Sequence, residues 1–299
     1  MNELWKRSNK ILGLLQPSNV DLSKAKRFGS EFDGGYVIID DLTKSDFLIS
    51  MGVADDINFE KILSSRIFGV HLYDDSIDAL PEVLVNSEFF HERIGGNHFT
   101  TIENAICRVP SNSDLLLKID IEGSEWDAFA QTDSSVLSKF RQIVVEFHWF
   151  ENLQSGDFFN QAVEVLEKLS KTHLILNSHP NNWGDILIFE NLVLPQVIEV
   201  TYLRRDSYSM LTEEADSRLI LERLNQPCNS KFPEIYLMKP ALDVKQNLQT
   251  NSVGAFQFRK SVELTQQRDE LTQQRDEIVN STIWKFTNPL RKVIDLIKQ

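Results

Sequence analysis

Along residues 20–245, short apolar runs alternate with stretches in which apolar residues recur every three or four positions. Tyr36–Ile39, Asp46–Ser50, Ile67–Leu72, Phe89–Arg93, Leu115–Ile121, Gln142–His148, Leu174–Ser178 and Val197–Leu203 read as strands. Several are continuous rather than alternating, which requires burial on both faces. Helical spacing appears in Asn58–Ser65, Thr101–Cys107, Glu125–Phe129 and Phe158–Lys171. In the last of these, Phe159, Ala162, Val163, Leu166 and Leu169 fall on one stripe. Strands that alternate with helices predict an α/β fold: a mainly parallel sheet with helices on both faces. Ahead of this body, residues 1–19 begin MNELWKRSNKILGLL, which reads as an N-terminal amphipathic helix.

After a linker at 246–260 the pattern changes. ELTQQRD at 263–269 is followed at once by an identical ELTQQRD at 270–276. The period of seven puts Leu264, Leu271 and Ile278 in register but leaves Gln267 and Gln274 at the companion seam positions. This predicts a helical tail over 261–299 that forms a short coiled coil or a solvated spacer. Its last stretch, STIWKFTNPLRKVIDLIKQ, sets Lys285, Arg291, Lys292 and Lys298 against Asp295 among apolar residues. That mixture suits peripheral membrane contact or self-association.

Composition narrows the function classes. With 41% apolar and 25% charged residues the chain is an ordinary globular one, but 44 acidic against 31 basic residues leave a net charge of −13. Since residues 281–299 carry +3, the remaining 280 residues carry −16 (−13 minus +3), a poor balance for binding nucleic acid. Cys107 and Cys228 are too few for a disulfide framework or a Cys-built zinc site. No run of about 18 apolar residues spans a bilayer. A cytoplasmic protein, touching a membrane at most through its basic end, is the expectation.

In an open parallel sheet, ligands bind beyond the carboxyl ends of the strands where strand order reverses. Four places at such ends carry candidate chemistry. The turn Met51-Gly52-Val53-Ala54-Asp55-Asp56 follows one strand and lacks the G-x-G-x-x-G of dinucleotide binders. Asp74 and Asp75 end the next strand, about twenty residues on, where a carboxylate holds a ribose or caps a helix over Ser76–Leu80. Lys118-Ile-Asp-Ile-Glu-Gly-Ser-Glu125 delivers Asp120 and Glu122 to the edge, and strand alternation puts them on one face. Two carboxylates that close call for a cation, an ammonium or a shared proton. Glu146, His148, His179 and Asn182 end what read as the two neighbouring strands, so that three adjacent strand ends converge on one crevice. Asp33-Gly34-Gly35-Tyr36 reads as a turn into a strand.

Lys118–Glu125 resembles the signature of the FkbM-type methyltransferases, enzymes dependent on S-adenosylmethionine. Arg27–Gly29, Asp33–Val37, Ser50–Asp56 with Phe59-Glu60, His179–Asn182 and Val197–Leu203 are similar to a methyltransferase-like subgroup of that family. The resemblance covers residues 25–240 and implies a Rossmann-like class I methyltransferase fold. It implies further that Gly35 and Tyr36 flank the cofactor, that Met51, Gly52 and Val53 border its amino-acid part, that Asp74 holds its ribose and that Asp120 sits beside its methionine end. The tail at 281–291 resembles an appendage of bacterial surface-polysaccharide enzymes, which implies a small-molecule or carbohydrate acceptor.

Methyl transfer to oxygen is a displacement that needs alignment and a base. His148 or His179 is the expected base, with Glu122 or Glu146 as orienting group. Asp120, Glu122 and His148 also make a set that can clamp a divalent ion, although no metal is expected. Two other readings stay open: a glycosyltransferase-like enzyme that uses the acidic edge for a metal diphosphate, and a catalytically inactive assembly module built around the tail.

Overall fold

The order of elements is α1 (Glu3–Leu14), β1 (Ala25–Gly29), β2 (Gly35–Ile39), β3 (Asp46–Met51), α2 (Asn58–Ser64), β4 (Gly69–Tyr73), β5 (Ser87–Phe90) and α3 (Ile102–Cys107). Then follow β6 (Asp114–Ile119), α4 (Glu125–Gln131), α5 (Ser134–Leu137), β7 (Phe140–Phe147), α6 (Gly156–Thr172), β8 (His173–Phe189), β9 (Leu192–Arg204) and α7 (Ser217–Leu224). The computed structural model describes residues 3–96, 99–189, 192–212 and 217–237, all within the unit Met1–Ala241. The linker at 246–260 and the tail at 261–299, with its coiled-coil and membrane expectations, lie outside the described residues. Among the described residues no helix is long and apolar enough to cross a membrane.

Seven strands form one sheet in the order β5-β4-β3-β6-β7-β9-β8, and only β9 runs against the others. The chain moves outward from β3 through β4 to β5 and returns to β6 on the other side of β3. The strand order therefore reverses between β3 and β6, where a crevice opens at their carboxyl ends. This is the Rossmann-like class I methyltransferase fold that the sequence implies.

Alternation along the buried strands supplies both faces of the sheet. Phe47, Ile49, Leu115, Leu117, Ile119, Ile143 and Val145 point to a core shared with α1, α4 and α6. Leu48, Leu116 and Val144 point to a second core under α2 and the β1–β2 hairpin. The N-terminal helix is no separate appendage, since Trp5, Ile11 and Leu12 enter the first core. On α6 the fully buried positions are Ala162, Val165, Leu166 and Leu169, and Phe159 and Val163 pack half-buried against the same core.

Three expectations need correction. Tyr36–Ile39 does not join the main sheet; β2 pairs with β1, a short polar strand without an apolar signature, and buried Gln142 holds this hairpin by bonding both N–H and C=O of Ile39. Leu115–Ile121 stops being a strand at Ile119. β8 extends far beyond Ser178, because Pro180 and Asn181 keep pairing with β9 and, after a register shift, Ile186–Phe189 resume the ladder.

Phe147 is fully buried and stacks on Trp126 with ring centroids 4.5 Å apart. Phe147→Ala is expected to lower unfolding free energy by about 3–5 kcal/mol in a denaturant titration.

Candidate functional site

A cavity of about 640 Å³ opens at the reversal point, a volume typical of small-molecule sites. Its walls are the hairpin turn with Asp33, Gly34 and Tyr36, the glycine turn Gly52–Asp56, Glu60 of α2, Asp74–Ser76, and Lys118, Asp120, Glu122, Glu146 and Trp149 from the ends of β6 and β7. Ten carboxylates line it against two basic side chains, Arg93 and Lys118.

Gly52 is required by the chain itself. Its φ is +75°, and a Cβ there would lie 1.6 Å from the carbonyl oxygen of Asp120, so only glycine lets the turn approach the end of β6. The turn is then pinned on each side. Gly52 N–H donates to Tyr73 C=O (2.8 Å) and Asp120 N–H to Met51 C=O (2.9 Å), while buried Lys118 donates Nζ–H to Gly52 C=O. Asp74 completes the fastening. Its Oδ2 accepts from the N–H groups of Val53 (2.8 Å) and Ala54 (2.9 Å), and its Oδ1 accepts from Ser76 N–H (2.7 Å) and Oγ–H (2.6 Å). Burial alone would raise its pKa, but these hydrogen bonds win and lower it. No helix follows over 76–80, so Asp74 shapes the turn rather than capping a helix.

Beyond β6 the chain turns at Glu122, whose φ of +53° is left-handed. Asp120 and Glu122 thus meet through a turn and not through strand alternation. Both approach His148: Nε2 lies 3.9 Å from Asp120 Oδ1 and 3.4 Å from Glu122 Oε2, with Glu146 Oε1 at 4.0 Å. The orienting group is Glu125, neither Glu122 nor Glu146. Fully buried at the start of α4, its Oε1 accepts from His148 N–H (2.7 Å) and Nδ1–H (2.8 Å), and its Oε2 accepts from Gly123 N–H (2.8 Å). This fixes the tautomer and turns Nε2 toward the cavity-lining carboxylates Asp120, Glu122 and Glu146. Gly123 has a φ of +99° and lies under the Trp149 ring, where a Cβ would come within 2.2 Å of ring carbons.

Electrostatics follow from the crowding of acids. Burial would depress His148, but the hydrogen bond and charge of Glu125, and then Asp120 and Glu122, raise its pKa to about 9. Burial, Glu199 and Asp120 push Asp33 up to about 6. Glu146 is raised well above the usual carboxylate range by burial and by Asp120 and Glu199. Glu60 is buried with Oε1 accepting from Ser50 Oγ–H (2.5 Å), and among the described residues its Oε2 has no partner. Burial raises its pKa and the Lys118 charge opposes that.

Of the residues singled out in the sequence, Tyr36, Gly52, Val53, Asp74, Asp120, Glu122 and Glu146 line the cavity, and His148 faces three of them. Met51 is buried in the core, and Gly35 lies against the Arg27 guanidinium. His179 is displaced because β9 stands between β7 and β8, so the three strand ends are not adjacent. Its Nδ1 bonds Glu199 (2.8 Å) and its Nε2 bonds Glu234 (3.0 Å). Asn182 fastens the segment at 229–233 through its side chain. Lys118, Glu60 and Glu125 were not singled out. Glu125 could have been found by asking which acceptor orients His148.

Residues 97–173 match the Methyltransferase FkbM domain. That stretch contains β6, α4 and β7 with the turns that follow the two strands, and so includes Asp120, Glu122, Glu125, Glu146 and His148. No curated protein matches the chain. Solved structures similar to it include an rRNA methylase from Streptococcus thermophilus, at 12% identity over 55% of this chain and 89% of that one, with a TM-score of 0.33. A dimethyladenosine transferase from Plasmodium falciparum matches at 14% identity over 56% and 58%, with a TM-score of 0.32. The N-methyltransferase NodS from Bradyrhizobium japonicum, bound to S-adenosylhomocysteine, matches at 9% identity over 68% and 88%, with a TM-score of 0.29.

Because the folded pKa of His148 exceeds the ordinary 6.5, its stabilising effect is complete below pH 6.5 and is lost as pH rises through about 9. NMR titration should place its imidazole near that value. Glu125→Gln leaves burial but removes the charge, so the imidazole should titrate far lower and the alkaline loss of stability should shrink.

Proposed function

We propose that the cavity binds S-adenosylmethionine and that the protein transfers its methyl group to an oxygen of a carbohydrate or other small hydroxylated acceptor. The observation that carries this reading is the excess of ten carboxylates over two basic side chains in a small-molecule cavity at the reversal point. A cofactor with a sulfonium and an α-ammonium group relieves that excess by itself, whereas the diphosphate of a sugar nucleotide would add to the negative charge unless a divalent metal came with it. This favours the methyltransferase over the glycosyltransferase reading, and the FkbM-domain match over residues 97–173 supports it.

In this reading the turn at Gly52 and Val53 borders the amino-acid part of the cofactor, and the Asp120 carboxylate faces its ammonium. All four acceptor positions of Asp74 are already occupied by Val53, Ala54 and Ser76. Its contribution to affinity therefore runs through the shape of the turn, and exposed Asp75 beside it is free to take a ribose hydroxyl. Trp149, 43% exposed at the rim, offers an aromatic face to a sugar.

For the transfer, the acceptor oxygen attacks the methyl carbon, the C–S electron pair stays on sulfur as S-adenosylhomocysteine leaves, and the hydroxyl proton passes to His148 Nε2. At neutral pH His148 is protonated in the unliganded protein. A cationic cofactor beside Asp120 lowers that pKa and frees Nε2 to act as base.

Calorimetry should show S-adenosylmethionine and S-adenosylhomocysteine binding to the wild type, at least tenfold weaker binding to Asp120→Ala, and binding no weaker than wild type to His148→Ala, which removes the imidazolium that the cofactor must displace. With a sugar acceptor, His148→Ala should lose about 10²–10⁴ in methyl-transfer rate. Absence of wild-type cofactor binding at millimolar concentration would refute the proposal.

A further inference from the structure

Outside the cavity, three side chains of different chemistry converge in the interior: His179 on β8, Glu199 directly across from it on β9, and Cys228 from the segment that follows α7. All are buried, at 3%, 5% and 2% exposure. His179 Nδ1, a Glu199 carboxylate oxygen and Cys228 Sγ lie within 4.8 Å of one another. Nδ1 is 2.8 Å from Glu199 Oε2, and Sγ is 3.3 Å from Glu199 Oε1. We propose that these three residues form a buried site for a zinc-class divalent transition metal, which staples the segment at 228–234 to the sheet.

Donor chemistry, orientation and charge support this independently of one another. One thiol, one imidazole and one carboxylate are the ligand types that zinc takes, while magnesium and calcium select oxygen. The far nitrogen of the imidazole is already held: Nε2 bonds Glu234 Oε1 at 3.0 Å. An outer carboxylate in that position fixes the ring and turns Nδ1 toward the other two donors, as in carboxylate–histidine–metal arrangements. The charge is also unbalanced. On its other side Glu199 stands opposite Glu146 of β7, also buried, with the Asp33 carboxylate in the same group. Like charges directly across a ladder destabilise it; His179 pairs with Glu199 and Glu234, while Glu146 has Asn181 and, at 4.0 Å, His148. Among the described residues the buried Oε2 of Glu234 has no partner at all.

The third ligand explains the architecture around it. Asn182, three residues after His179, accepts from Asn229 N–H at 2.6 Å and donates to the carbonyls of Asn229, Phe232 and Pro233. The segment is thereby laid against β8 with Cys228 and Glu234 on either side of His179. Metal binding releases the thiol proton of Cys228 and the proton between Nδ1 and Glu199 to solvent, so affinity rises with pH. The site makes no use of the methyl-transfer reading and stands if that reading fails.

The full chain, stripped with chelator, is to be titrated with Co²⁺ as a spectroscopic stand-in for zinc. The expected result is one equivalent bound, with a thiolate-to-cobalt charge-transfer band in the near ultraviolet, and displacement by Zn²⁺. Cys228→Ser should lose that band and Cys107→Ser should keep it. A wild type that binds no Co²⁺, or binds it without the thiolate band, overturns the proposal on its own. A band that survives Cys228→Ser overturns it as well.

Discussion

Glu146 and Glu199 face each other on neighbouring strands at the carboxyl edge of the sheet, both buried. Two carboxylates in that relation cannot both stay ionised without compensation, and much of what surrounds them supplies it. Burial, Asp120 and Glu199 hold Glu146 well above the ordinary carboxylate range, and Asn181 donates to it at 2.7 Å. His148 aims Nε2 at Asp120, Glu122 and Glu146; His179 serves Glu199 and Glu234. Lys118, buried two residues before Asp120, fastens the glycine turn and places an ammonium 3.8 Å from the Asp120 carboxylate. The proposed cofactor and the proposed buried metal would be two answers to the same surplus of negative charge, one in the open cavity and one behind it.

The parts of the fold that were legible in the sequence are those dictated by burial on both faces. The run Leu115–Ile119 and the single glycine at Gly52 located the middle of the sheet and the reversal point, because a continuous apolar run followed by a sharp turn has few other uses. β1 was not legible, since Ala25–Gly29 is short and polar and owes its existence to pairing with β2. Nor was the insertion of β9 between β7 and β8, which is a fact of topology that periodicity does not encode. That insertion separates His179 from the cavity.

At the site the identities were easier to read than the roles. Asp74, Asp120, Glu122 and His148 stand out because titratable groups at strand ends are conspicuous. Their partners do not. Glu125 looks like an ordinary acidic residue in the first turn of a helix, yet its side chain turns back to bond Gly123 and His148. Asp74 spends its acceptors on the turn. Such roles depend on which N–H groups arrive nearby after folding. The His179, Glu199 and Cys228 set was equally hidden, because its members come from three separate elements with no motif spacing.

The central claim is that the surplus of carboxylates at the reversal point exists to receive a cation-bearing cofactor. A crystal structure of the protein soaked with S-adenosylhomocysteine tests it most directly. The account predicts the ligand in the cavity with its amino-acid end against Gly52 and Asp120 and its sulfur on the His148 side. A ligand bound elsewhere, or an amino-acid end turned away from Asp120, would contradict it.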